Sequence, residues 1–224
     1  MRIELNDVTV DTRHGPILTG VTLSLEPASK TVITGPGSCG KSVLHSVLLW
    51  QSRPTSGSMI INTVPAATMS AGSLRRYRTQ LGVIAQIPTF DHELTVFENL
   101  LLAAAARGLR REEATSAALE ALADVGMSHR RSHRVDELSD AERTLVGIAR
   151  AVTGPTSMLL IDDAFVGLDE PTLRTALDMM LTTASRREIG LVITTSDPTL
   201  AELIPGCDRY TMHEGRLSPL QEAA

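Results

Sequence analysis

The sequence predicts an α/β fold: a mostly parallel sheet, an antiparallel β subdomain at its N-terminal side and an α-helical insertion. Three observations carry that expectation. Short continuous apolar runs alternate with helical patterns, which is how parallel strands buried on both faces read. Two early strands instead alternate apolar and polar residues with period two, as half-buried antiparallel strands do. Between residues 95 and 126, alanine and leucine dominate with Glu and Arg between them, a composition of packed helices. A chain of 224 residues can build one large domain around a substantial core. We expect a single domain over 1–224, with the helical subdomain spanning roughly 88–153.

Each element has its own signal. Residues 3–10 and 17–25 alternate and should pair as antiparallel strands across a turn at His14-Gly15-Pro16. Residues 31–34 form an apolar run that enters a glycine loop, and a helix should follow from Ser42 to Trp50. Pro54-Thr55-Ser56-Gly57 reads as a turn before a short strand at 58–61. Residues 72–78 are polar and basic and read as a short surface helix, with Arg75, Arg76 and Arg78 either on a solvated face or facing a membrane partner or anionic headgroups. Residues 81–85 read as a buried strand ending at Gln86. Val96, Leu100, Ala103 and Ala104 mark one helix, and Ala114, Ala117, Ala118, Ala121, Leu122 and Val125 a second, with an interhelix turn at 108–113. A further helix should run from 140 to 152, an apolar strand from 157 to 161, and a helix from 171 to 187 with Pro171 near its start. Residues 190–195 read as a buried strand, 207–213 as a late strand, and 218–224 as a frayed tail.

The chemistry begins in the glycine loop, Gly35-Pro36-Gly37-Ser38-Cys39-Gly40-Lys41-Ser42-Val43. Gly35, Gly40, Lys41 and Ser42 fit the spacing G-x-x-x-x-G-K-[ST] between a strand and a helix. Glycine lets the backbone curl so that successive N–H groups point inward at an anion. The following helix adds its positive N-terminal end. Lys41 would reach the β- and γ-phosphates and the Ser42 hydroxyl would ligate Mg2+. The α/β expectation thus sharpens to a P-loop NTPase core. Downstream, Asp162 and Asp163 end an apolar strand. Ligands of open α/β sheets gather at such C-terminal strand ends. Asp162 is the candidate for the metal shell, directly or through water.

Composition sets limits. A net charge of −5 and 3% aromatics give a nucleic-acid partner no support. Cys39 and Cys207 make neither a metal spacing nor a disulfide framework, which suits a reducing cytosol. No stretch of about twenty apolar residues reads as a membrane span, and residues 1–5 open no signal-peptide run. A membrane role must come through a partner.

Several segments then converge on one family. Leu81-Gly82-Val83-Ile84-Ala85-Gln86 resembles the strand that ends at the Q-loop glutamine of ATP-binding cassette (ABC) transporters. Leu94-Thr95-Val96-Phe97-Glu98-Asn99 resembles a helix opening of the same family. Leu138-Ser139-Asp140-Ala141-Glu142 sits where its signature loop belongs, Gly167-Leu168-Asp169 resembles its D-loop, and Pro54-Thr55-Ser56-Gly57 its common turn. The chain is similar to the nucleotide-binding subunit over nearly its whole length, and most similar to the lipoprotein-release, macrolide-export and cell-division ATPases. The resemblance implies ATP and Mg2+ as cofactors, Gln86 at the metal and the attacking water, and Ser139 reaching the γ-phosphate held by a second cassette. It also implies an integral membrane permease as partner, no nucleic acid, and a cytoplasmic place on the inner face of the membrane.

Four positions depart from the family pattern. The segment around Thr12 lacks the aromatic ring that would stack on adenine; His14 is either a substitute ring or a turn histidine. Asp140-Ala141 replaces Gly-Gly: Ser139 is kept to reach a partner's γ-phosphate, whereas Asp140 puts a negative charge beside it and weakens closure; the plainer reading, compatible with this, is that Ser139 and Asp140 cap the helix that follows. Asp163 stands for the catalytic glutamate, one methylene shorter, and Ser196 for the switch histidine. Asp163, Ser196 and Gln86 are therefore the catalytic candidates. The expected function is an ATP-binding subunit coupling ATP, with slow or partner-dependent hydrolysis, to a permease; the alternative is a non-hydrolysing cassette acting as an ATP-gated partner. A cassette acting on ribosomes or DNA fits less well, because the chain is short and acidic.

Overall fold

Ile3, Leu5, Val8 and Val10 all bury on one face of strand β1 (Ile3–Thr12). A strict period of two would turn Val8 outward; a register shift between Leu5 and Val8, with Asp7 at φ 51°, restores it to the core. The computed structural model describes residues 1–13, 15–86 and 89–220, so His14 lies outside the described residues. β1 pairs antiparallel with β2 (Gly15–Leu25), setting Ile3 opposite Leu25 and Leu5 opposite Leu23. The pairing continues to Thr12 opposite Gly15, so Gly15 and Pro16 belong to the strand and not to a turn. On its other edge β1 pairs with β4 (Ser56–Ile61). That strand starts earlier than the turn signal suggests, because Ser56 already pairs with Thr9. Gly57 lies at φ 80°, and a Cβ there would sit 2.2 Å from the Asp7 carbonyl, so the bulge and the glycine fit each other. With β5 (Val64–Pro65) this sheet runs β2-β1-β4-β5.

The second sheet is built on β3 (Lys30–Thr34), which lies parallel between β8 (Gly190–Thr195) and β9 (Asp208–His213). Thr31 to Thr34 and all of β8 are buried, matching their apolar runs. Beyond β9, β10 (Arg216–Pro219) pairs antiparallel with it. Ser218 and Pro219 are thus strand and not frayed tail; Pro219 is tolerated because β10 is an edge strand. Beyond β8 the order continues to β7 (Met158–Asp162) and β6 (Leu81–Ile84).

Contacts divide the chain into two units. One holds Met1–Arg78, Leu160–Asp163 and Gly190–Ala224; the other holds Thr79–Leu159 and Ala164–Ile189. The first contains helices α1 (Lys41–Leu48) and α2 (Ala71–Thr79) except its last residue. On α2 the arginines at 75, 76 and 78 are exposed, while Tyr77 is buried and donates its hydroxyl to the Leu48 carbonyl. Burial pushes that phenol's pKa up.

The second unit contains α3 (Val96–Ala106), α4 (Arg111–Asp124), α5 (Asp140–Val152) and α6 (Glu170–Arg186). α4 takes in Arg111 to Glu113, which the sequence assigned to a turn; Glu113 accepts from the Arg110 N–H and starts the helix. Val96, Leu100 and Ala104 bury on α3, and Ala114, Ala118, Ala121 and Leu122 on α4, as their spacing requires; Ala103 and Ala117 are only half-buried, and the buried Val125 is the C-cap of α4. The half-buried Arg107 closes the end of α5 by donating to the carbonyls of Ala151 (2.8 Å) and Thr153. Burial lowers its pKa to about 10, with Arg150 adding to the effect. No helix among the described residues is long and apolar enough to cross a membrane.

Candidate functional site

The first unit brings Lys41, Ser42, Asp162, Asp163 and Ser196 together. The loop leaving β3 is anchored where the Gly35 N–H donates to the Thr195 carbonyl at 3.1 Å. It then curls through Ser38 (φ 62°) and Gly40 (φ 112°). Gly35 packs where no side chain fits: a Cβ would lie 2.4 Å from the Met212 carbonyl and 2.9 Å from the Cys39 Sγ. Cys39 is a buried free thiol, the small side chain this packing needs. Its carbonyl accepts from the Gly215 N–H at 3.0 Å, so the β9–β10 turn braces the loop. Pro36, Gly37 and Ser38 form an exposed lip. Gly40 caps α1 without a side-chain acceptor, which leaves the first amides of the helix free for an anion. Val43 is half-buried on the first turn of α1.

The charged groups have defined partners. Lys41 is 5% exposed; its Nζ donates to the Gly35 and Pro36 carbonyls at 2.8 and 3.0 Å and lies 3.9 Å from Asp163 Oδ2. Ser42 Oγ donates to Asp162 Oδ2 at 2.9 Å. The other oxygen of Asp162 accepts from Thr194 Oγ1 at 2.7 Å. Asp163, at φ 47°, turns its carboxylate another way. Its Oδ1 accepts from both the Ser196 N–H (2.7 Å) and the Ser196 hydroxyl (3.1 Å). The base candidate and the switch candidate are therefore bonded to each other, a pairing that the sequence did not reveal because 33 residues separate them.

The residues present suit Mg2+. A serine hydroxyl and a carboxylate oxygen converge at 2.9 Å, and both are hard oxygen donors. No group of three His, Cys, Asp or Glu converges among the described residues. A metal here would draw its other ligands from phosphate and water, as magnesium commonly does.

Gln86 and Ser139 belong to the second unit. Gln86 is exposed just past β6 and lines a cleft of about 530 Å³ with Phe90, Asp140, Ala164 and Leu168. Arg150 lies over the Phe90 ring, 4.5 Å from its centroid. Ser139 is the N-cap of α5 in a capping box: its Oγ accepts from the Glu142 N–H at 3.3 Å, and Glu142 Oε2 accepts from the Ser139 N–H at 2.9 Å. The backbone hydrogen bond from Ser139, with Arg130 Nε at 2.7 Å from Oε1, holds the Glu142 carboxyl below its ordinary pKa. Arg130 therefore buttresses the cap of α5. Asp140 is 87% exposed and pairs with Arg143 at 3.0 Å, so its charge turns outward.

Sequence reasoning missed His45. It is 5% exposed on α1, and its Nε2 lies 3.2 Å from Thr194 Oγ1. The available signal was a polar residue on the same helical face as Leu44, Val47 and Leu48.

Comparison with known proteins bears on the family and the fold. The ABC transporter family model matches residues 18–166. The lipoprotein-releasing system ATP-binding protein LolD 1 of Rhodopirellula baltica is 34% identical over 202 residues, covering 90% of this chain and 87% of that protein. CbiO1 of Clostridium perfringens, part of an ABC transporter complex, superposes with a TM-score of 0.87 at 22% identity over 96% of this chain and 86% of its own. The dimeric structure of MJ0796, a bacterial ABC transporter cassette, superposes at 0.84 with 23% identity over 99% of this chain and 100% of its own. The match in sequence over most of the chain places it in the ABC transporter family as an ATP-binding subunit.

Proposed function

We propose that this subunit binds Mg2+·ATP in the first unit and turns it over slowly, or only with partners, while coupling the nucleotide to an integral membrane permease. The contacts of Lys41, Ser42 and Asp162 support the following division of labour. The Gly35–Gly40 amides and Lys41 grip the phosphates; Ser42 and Asp162 hold the metal, with Gln86 as a further ligand. Bound Mg2+ supplies charge neutralisation at the phosphates. Asp163 is the base that takes a proton from the attacking water, and Ser139 reaches the nucleotide of a second cassette, identical or not. The MJ0796 dimer supports pairing, and the name of the Rhodopirellula relative, an ATP-binding protein of a lipoprotein-releasing system, supports a membrane complex. Such a subunit sits peripherally on the cytoplasmic face.

The observation that carries slow turnover is the bond pair from Ser196 to Asp163. Both lone-pair directions of Oδ1 are engaged, at 2.7 and 3.1 Å, and Oδ2 faces the Lys41 ammonium at 3.9 Å. A carboxylate so held has less room to accept a proton from water. The test is nucleotide titration and steady-state hydrolysis on the purified subunit, then again on the complex isolated from native membranes. Saturable, magnesium-assisted binding with turnover well below the common enzyme rate of about 10 s⁻¹, rising in the complex, is the expected result. Turnover near that rate without partners would overturn it. Binding with no hydrolysis in either state would favour the ATP-gated, non-hydrolysing reading.

A further inference from the structure

Asp162 is held from both sides, and only one of those holds is accounted for by its role in the nucleotide site. The second runs inward. Thr194 Oγ1 lies 2.7 Å from Asp162 Oδ1, 3.3 Å from the Ile161 carbonyl and 3.2 Å from His45 Nε2. A threonine hydroxyl has a single proton. The shortest and charge-assisted partner is the carboxylate, so the proton goes there. The Thr194 oxygen is then an acceptor towards His45, and the imidazole must carry its proton on Nε2. The three groups form a one-way chain: His45 N–H to Thr194, Thr194 O–H to Asp162.

The geometry points to His45 as a positioning residue: through Thr194 it fixes one oxygen of Asp162 and leaves the other directed at Ser42 and the metal. This rests on the proposed role of Ser42 and Asp162 as metal ligands. The chemistry is suited to that task. Burial lowers the pKa of His45 against the opposing pull of Asp162, which keeps the ring neutral and adds no cation beside the metal site. A lysine or arginine there would compete with Mg2+ for the carboxylate. Both His45 and Thr194 are buried, so water does not substitute for either in fixing the aspartate. Outer hydrogen bonds of this kind orient ligating carboxylates and typically matter about 10–100-fold in metal affinity.

The experiment is Mg2+ titration of fluorescent-ATP binding to the intact subunit, with nucleotide affinity also measured in EDTA. His45→Leu should weaken the magnesium-dependent affinity about 10-fold or more and leave the EDTA value unchanged. Thr194→Val should do the same, and the double variant should be no worse than either single one, because both break one chain. His45→Gln, which keeps an N–H donor on a planar amide, should recover most of the loss. In the nucleotide-free protein, imidazole 15N shifts should show the proton of His45 on Nε2. A merely structural histidine would lower thermal stability and affect binding equally with and without magnesium. That outcome, unchanged magnesium dependence in both single variants, or a proton on Nδ1 would overturn the inference while leaving the nucleotide site intact. Absence of any magnesium effect in the wild type would overturn the ligand assignment itself, and the inference with it.

Discussion

Asp162 and Asp163 are neighbours in the chain, yet their carboxylates serve different partners. The left-handed backbone at Asp163, φ 47°, swings its side chain towards Ser196 and Lys41 while Asp162 stays on the strand's line beside Ser42. Asparagine tolerates that conformation nearly as well as aspartate. Asp163→Asn should therefore preserve fold and nucleotide affinity while lowering residual hydrolysis by about 10²–10⁴-fold, the range for a lost general base; single-turnover kinetics beside a binding titration would separate the two. The loop, Lys41, Ser42 and Asp162 were legible in the sequence because local spacing and strand-end position specify them. The Ser196–Asp163 bonds and the His45–Thr194–Asp162 chain were not, since each joins residues far apart in sequence that only the parallel sheet brings side by side.

At the level of elements, helices α3 and α5 both open with capping boxes, Thr95 with Glu98 and Ser139 with Glu142. Their spacing is visible in the sequence as [ST]-x-x-E, which explains why both starts were placed well. Ser139→Ala should cost about 1 kcal/mol of stability, read by chemical denaturation. The sign of the pH effect follows from Glu142. Its folded pKa lies below the ordinary 4.5, so its contribution is present above that value and is lost as pH falls through the folded one. Melts of wild type and Glu142→Gln should differ at pH 7 and converge in acid. β6 shows another constraint. A Cβ on Gly82 would lie 2.4 Å from the Ala151 carbonyl and 2.4 Å from Leu159, so Gly82→Ala should destabilise by about 1–3 kcal/mol through overpacking. β10 was missed because it is short and holds a proline, and edge pairing leaves no apolar alternation to read.

For the molecule as a whole, the nucleotide-binding unit is assembled from three separate stretches of chain. β3 finds its partners more than 150 residues downstream, pairing Thr31 with Val192 and with Asp208. The mostly parallel sheet and its flanking helices were legible because buried strands and helices have distinct lengths and periods. The helical subdomain expected at roughly 88–153 falls within the second contact unit, but the inclusion of Ala164–Ile189 in that unit was not legible, since it depends on where the chain returns. Binding should be felt globally: Mg2+·ATP at about 100 times its Kd adds about 2.7 kcal/mol, or about 5–10 °C in Tm for a chain of this size. Differential scanning fluorimetry should show that shift in the wild type and none in Lys41→Ala.

The brace from Gly215 to the Cys39 carbonyl has a consequence for biosynthesis. Ribosomes make the glycine loop early and the turn that clasps it some 175 residues later. A nascent chain stalled anywhere between them has the phosphate-gripping sequence but lacks the clasp that shapes it, so ATP is captured only once the hairpin has emerged and docked.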